Sequence, residues 1–262
     1  MTPIFHFNRA LVRQPAPSVV DGLRDGGGPS PSFAGIQAEH AAYAAALAGA
    51  GVTVTTLPPL PAHPDAILVE DPALVFTEGA IRLRPGAASR LGEGVALAPV
   101  LAERFPQVLE LTEGHVDGGD VLVTPDTVFI GLSARTDRAG AEALARLLAE
   151  LGRSATLVET PKGTLHLKSA VTLVDEETVL ATQAVAAAGI FVAFRVLVVS
   201  ADEAHGANVL RVNDVVLAGN RYPRTLEMLD GHGLAVRPLS VSEIVKIDAG
   251  LTCMSLRWWE ED

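Results

Sequence analysis

Short apolar runs recur along the chain, and turn residues break them in pairs. DVLV reaches Thr124-Pro125-Asp126, and TVFIGL follows it. Next comes AGAEALARLLAELG, with apolar residues at helical spacing and Gly152 as a C-terminal stop. The pattern predicts strand, turn, strand, helix. The same order recurs three times. PALVF turns at Thr77-Glu78-Gly79 into AIRLR, before a helical stretch from about Ala87 to Phe105. HLKSAVTLV turns at Asp175-Glu176-Glu177 into TVLAT, before an alanine-rich segment. NVLRV turns at Asn213-Asp214 into VVLAG, before RTLEMLDGHG. The first run, IFHFNRALV, has no predecessor, and the last, LTCMSLRW, has no successor. Paired, they complete a further copy split across the two ends. Such units cannot bury their sheets alone, so they pack around a common centre with helices outside. The expectation is one α/β domain over 1–262. The runs are too short and too hairpin-rich for a doubly wound parallel sheet, and no G-x-G-x-x-G follows a strand. The segment from Gly26 to Ser32 holds neither helix nor strand and reads as a mobile surface loop.

Composition narrows the function classes. With 48% hydrophobic and 19% charged residues in 262, the chain is globular. Acidic residues outnumber basic ones by 31 to 20, a net charge of −11. That argues against a nucleic-acid surface or attraction to an anionic membrane, but it suits a small cationic substrate. One cysteine, Cys253, excludes an internal disulfide, a zinc ribbon and an iron–sulfur site. No secretory signal is evident, and the apolar stretch Ala184–Phe194 is too short to span a bilayer. A cytoplasmic protein is expected, as a monomer or homodimer, with no cofactor and no resident metal.

Cys253, in Gly250-Leu251-Thr252-Cys253-Met254, reads either as a small buried strand residue or as a nucleophile. The second reading needs a histidine and an orienting carboxylate elsewhere. His166 stands where a strand is starting. Acidic residues open several apolar runs: Glu70-Asp71, Asp117-Gly118-Gly119-Asp120, and Asp248 before the cysteine run. They cap turns or form an anionic centre for a cation.

Taken together, PDAILVEDPALVF, RPGAASR, VDGGDVL, GLSARTD, LHLKS, ANVLRVN and KIDAGLTCMSL, in this order, resemble the dimethylarginine dimethylaminohydrolases of the guanidino-group-modifying (pentein) superfamily. The resemblance implies a five-bladed α/β propeller with pseudo-five-fold symmetry and the active site in its central channel. It implies Cys253 as nucleophile, His166 as general acid/base and Asp117 as the carboxylate that orients the histidine, a position where some bacterial relatives carry glutamate. Asp71 and Asp65 match positions that hold the guanidinium and its neighbouring groups, with Glu70 beside them. Arg90 and Arg135 match the arginines that bind the substrate α-carboxylate. Leu23, Ile247 and Asp248 match positions that supply backbone or side-chain contacts. Leu68 stands where some relatives place an aromatic residue.

The implied reaction takes Nω-methylated arginine to citrulline and an amine through a covalent thiouronium on the cysteine. No cofactor enters it. A metal would inhibit by taking Cys253 and His166. Two alternatives remain: an arginine deiminase or related hydrolase on the same fold, and a non-catalytic binding protein of the superfamily. Deiminases typically carry His-x-Asp, whereas here the residue two after His166 is Lys168. A lysine cannot accept a guanidinium proton, so it is expected to point away from the substrate. That leaves one guanidinium edge without an anion, which favours methylated arginines. The plainer reading makes Lys168 a solvated strand residue.

Overall fold

A computed structural model describes residues 4–24 and 28–261. Gly26 and Gly27, where the expected glycine-rich loop begins, lie outside them. Among the described residues there are five separate three-stranded sheets with one shared topology. In each, an antiparallel hairpin is followed by a third strand that pairs in parallel with the hairpin strand next to it. Ala73–Phe76 and Gly79–Arg82 form a hairpin, and Val108–Glu110 joins parallel to Gly79–Arg82. Val121–Val123, Val128–Leu132 and Ala155–Glu159 repeat this order. So do Val171–Asp175, Thr178–Ala181 and Arg195–Val198, and Leu210–Val212, Val215–Gly219 and Ala235–Leu239. The fifth sheet is split: Leu256–Trp258 runs antiparallel to Arg9–Arg13, which pairs in parallel with Thr53–Leu57. The two ends of the chain pair as the repeat pattern predicts.

The third strand of each sheet is absent from the expected strand–turn–strand–helix order. Its positions explain why. Thr53–Leu57 and Val108–Glu110 contain no buried residue and carry mixed polar sequence, while the apolar run of Arg195–Val198, also without a buried residue, has no hairpin partner beside it in sequence to mark it. Such a strand is specified by the helix before it, since a parallel neighbour needs a crossover. Helix Arg138–Glu150 shows the local logic. Asp137 Oδ1 accepts the Gly140 N–H at 2.7 Å and caps the first turn. Ala141, Leu144 and Leu148 face the core, and Gly152 at φ +73° takes the left-handed conformation after the end. Helix Phe33–Gly49 links the strands of the split module; its small apolar residues lie all round it, which hides the helical stripe in the sequence. No helix among the described residues is long and apolar enough to cross a membrane.

Two strands are shorter than their apolar runs predict, and both losses occur beside the expected catalytic residues. His166 is extended, but Leu167–Ala170 is a single helical turn and the strand starts only at Val171. The Leu167 N–H donates to Asp120 Oδ1 at 2.8 Å, which stops the chain from continuing as a strand. At the C-terminal run, only Leu256–Trp258 is strand, and Cys253 sits on the turn before it.

Candidate functional site

The turn holding Cys253 is tied down at several points. The Cys253 N–H donates to Gly250 O at 3.3 Å. The Gly250 N–H points back at Cys253 Sγ at 3.4 Å. Asn208 supports the same turn from behind: its Oδ1 accepts the Thr252 N–H at 3.1 Å. Its Nδ2 donates to Lys168 O at 3.0 Å and to Thr252 Oγ1 at 3.2 Å. One amide side chain therefore fixes the cysteine turn against the segment that carries His166.

His166 and Asp117 meet through Nε2 and Oδ2 at 3.1 Å, both buried. The other Asp117 oxygen accepts the Gly86 N–H at 2.7 Å. The imidazole lies against Gly119, where any Cβ would stand 2.7 Å from Nδ1. Only glycine fits beside the ring. The Gly119 N–H also donates to Asp71 Oδ1 at 2.9 Å, so one residue spaces the imidazole and anchors the Asp71 carboxylate.

One cavity, about 30 Å³ in volume, collects nearly all of the expected residues. Cys253, His166, Asp117, Asp71, Asp65 and Arg90 line it. So do Arg135, Leu23, Leu68, Ile247 and Asp248. Leu23 is held there by its N–H, which donates to Asp65 Oδ1 at 2.9 Å. Asp248 adopts a left-handed backbone, φ +53°, at the end of the Ile244–Ile247 turn. Arg24 and Leu165 also line the cavity, and no sequence signal marks them.

Glu70 is the exception and a correction. It does not line this cavity; it faces a second one on the other side of the Cys253 turn. Two cations draw it there: Lys168 Nζ at 2.7 Å and Arg257 Nη2 at 3.2 Å, both on Oε1. Lys168 is not a solvated strand residue either. It is buried on the one-turn helix and points out of the Cys253 cavity.

Arg90 also departs from the expected carboxylate fork. Its Nη1 pairs with Asp71 Oδ2 at 2.5 Å, and Nε and Nη2 bind Glu93. Nη2 further donates to Leu68 O at 3.1 Å. A single Nη1 hydrogen is left for another acceptor, too few for a bidentate grip. Breaking a buried network of this kind costs about 3–5 kcal/mol. Arg135 has no ion-pair or side-chain hydrogen-bond partner among the described residues, so its fork is open. Sequence reasoning misses Glu93 and Asn208 as site residues, and it marks Asp120 only as part of an acidic cluster, without its hold on the Leu167 N–H. The i, i+3 spacing of Arg90 and Glu93 is the available signal for the first.

The electrostatics set the resting protonation. Burial pushes the Cys253 thiol up, and the charges of Glu70 and Asp71 push it further, to about 11. Burial works against a charged His166. It is outweighed by the Asp117 hydrogen bond and by the charges of Asp71, Asp120 and Asp117, which lift the imidazole to about 9. Burial also opposes the Asp71 charge, yet Arg90, His166 and the Gly119 N–H hold its carboxyl below the usual range. At neutral pH the free site holds an imidazolium and a neutral thiol. Because the folded value for His166 lies above the ordinary 6.5, its charge stabilises the fold fully below that pH. The contribution disappears as pH rises through about 9.

Iodoacetamide alkylation of Cys253 in the free protein is therefore expected to quicken about ten-fold per pH unit, because only the thiolate reacts. The midpoint is expected at about 11. A profile already flat at pH 8 would contradict this electrostatic account. The ligand atoms of Asp71, Asp117 and His166 lie within 4.8 Å of one another. Arg90 already compensates the Asp71 charge there.

A carboxylate–histidine–cysteine set beside further buried carboxylates is chemically suited to a cationic carbon electrophile. Comparison with known proteins agrees. An arginine deiminase family model matches residues 101–204. The N(G),N(G)-dimethylarginine dimethylaminohydrolase of Pseudomonas aeruginosa is 36% identical over 254 residues, covering 96% of this chain and all of the relative. Its counterpart in Streptomyces coelicolor is 33% identical, covering 95% of this chain and 96% of the relative. A cysteine-to-serine mutant of the Pseudomonas protein, solved in complex with citrulline, superposes with a TM-score of 0.93 at 35% identity over 97% of this chain and all of that one. With identity sustained across nearly the whole length of both relatives, the chain belongs to the dimethylarginine dimethylaminohydrolase family.

Proposed function

We propose that this protein hydrolyses Nω-methylated arginine, asymmetric dimethylarginine or monomethylarginine, to citrulline and dimethylamine or methylamine. The observation that carries the reading is the meeting of Cys253, the His166–Asp117 pair and buried Asp71 and Asp65 in one cavity. In this reading residues 1–262 act as a single catalytic domain, with the five modules arranged as propeller blades around a channel. The shared topology of the five sheets supports that arrangement.

The substrate guanidinium enters as a cation and pairs with Asp71, while Asp65 holds neighbouring groups. Arg135 offers its open fork to the α-carboxylate, and Arg90 adds one hydrogen bond while holding Asp71. The cation next to Sγ favours the thiolate, and the thiol proton leaves to solvent. Sγ attacks the central guanidinium carbon. The His166 imidazolium gives its proton to the methylated nitrogen, the C–N bond breaks and the amine departs. A thiouronium now joins Cys253 to the substrate. Neutral His166 takes a proton from water, the oxygen attacks the same carbon, and the C–S bond breaks to give citrulline and thiolate. Asp117 keeps the ring oriented through both halves.

The test is competition between arginine and asymmetric dimethylarginine in one pot. The cavity carries no carboxylate at the His-x-Asp position, since Lys168 stands there and faces away. Unmethylated N–H groups left unpaired cost about 1–3 kcal/mol, so a preference for the methylated substrate of about ten-fold or more is expected. Faster consumption of arginine would favour a deiminase instead, the reading that the family-model match over residues 101–204 supports.

A further inference from the structure

Behind the Cys253 turn lies a second, larger cavity of about 240 Å³, the one that Glu70 and Lys168 face. Its floor has an uneven charge balance. Lys168 and Arg257 share a single carboxylate, and both bind the same oxygen, Glu70 Oε1. Glu70 and Lys168 are more than nine-tenths buried. Arg257 Nη1 is taken by Thr252 O, Ser255 O and Ser255 Oγ, but Glu70 Oε2, Arg257 Nε and Trp258 Nε1 are buried without a hydrogen-bond partner among the described residues. Along the walls Arg153 is paired with Glu78, whereas Arg211 has no carboxylate: it donates to two backbone carbonyls and lies over the Phe5 ring at 4.6 Å. Four cations thus face two carboxylates, in a chain whose net charge is −11. A buried excess cation needs an anion. The rest of the lining is mainly apolar and aromatic, including Phe7, Leu74 and Trp258.

We propose that this cavity is a binding site for a small carboxylate with an apolar tail, back to back with the Cys253 cavity and distinct from it. The carboxylate completes the pairing of Lys168 and Arg257, and the tail lies on the aromatic wall. The volume sits just below that of drug-sized pockets, which suits a ligand of a few carbons. The Glu70 N–H donates to Cys253 O at 3.1 Å, so the site floor and the cysteine turn are directly joined.

The chain supplies its own reporter. Its two tryptophans, Trp258 and Trp259, both line this cavity. Hexanoate would be titrated into the full chain after Cys253 has been alkylated with iodoacetamide, which fills the other cavity. A saturable change in tryptophan fluorescence is expected. Hexanol and hexylammonium should bind about ten-fold more weakly or worse, because each loses a charge-assisted hydrogen bond. Val75→Phe, which narrows the cavity, and Lys168→Met, which removes one floor cation, should each weaken hexanoate by a similar factor. If one variant fails to show a thermal unfolding transition, the other still decides. A linear response, equal binding of hexanol, indifference to the folded variant, or loss of binding on alkylation of Cys253 would each overturn the proposal.

Discussion

Cys253→Ser is expected to lower turnover of asymmetric dimethylarginine by more than about a hundred-fold while leaving the fold intact, because it removes a covalent nucleophile. The side chain is small and buried, and the Gly250 N–H that points at Sγ can serve an oxygen equally well. Structure is therefore preserved while chemistry is lost. A hydroxyl is a much weaker acid than a thiol, and Glu70 and Asp71 already oppose ionisation at this position. Bound cation can bring a thiol that starts at about 11 within reach of neutral pH, but it cannot do so for a serine. The measurement is amine release, paired with a thermal melt. A folded serine variant retaining more than about a hundredth of wild-type activity would rule out thiolate attack.

The sequence is most informative where one residue type carries both a fold signal and a chemical one. Turn residues such as Asn213-Asp214 mark the hairpins, and the apolar runs beside them mark the strands. The pairing of Arg9–Arg13 with Leu256–Trp258 is legible for that reason, since each is the unmatched end of a repeating pattern. Cys253, His166 and Asp117 are legible because the chemistry demands those side chains. What stays hidden depends on contacts between distant segments. Glu70 and Asp71 are adjacent in sequence, yet Lys168 and Arg257 pull one to the back cavity while Arg90 and Gly119 keep the other in front. Nothing local distinguishes the two. Arg90 reads as a free fork because Asp71 enters its environment only on folding, although the i, i+3 spacing of Glu93 is a local signal for its other partner. Asn208 has no chemical signature at all; its role comes from reaching Lys168 O and Thr252 at once.

His166→Ala should separate the two halves of the reaction. In the wild type the imidazolium protonates the departing amine, and the neutral ring then activates water. With asymmetric dimethylarginine the variant should fail at the first half, since an amine does not leave as an anion. General acid–base groups contribute about 10²- to 10⁴-fold, and a loss of that size is expected in amine release. S-methyl-L-thiocitrulline changes the demand, because methanethiolate departs without prior protonation. Cys253 should then attack, methanethiol should be released once, and the thiouronium should remain on the sulfur because no base activates water. Mass spectrometry of the intact protein would show the adduct, and thiol titration would show one equivalent released per chain. The pH profile of the wild type gives an independent check. His166 must be charged to act as the acid, so at saturating substrate, where the bound cation has already drawn the thiol down toward neutral pH, amine release should fall once the imidazolium, lifted to about 9 in the free site, loses its proton. In the variant the methanethiol burst should lack that fall and follow thiolate formation alone. A burst of dimethylamine from the variant would mean that the leaving amine takes its proton from another group, and steady turnover of the thiocitrulline would mean that His166 does not activate the water.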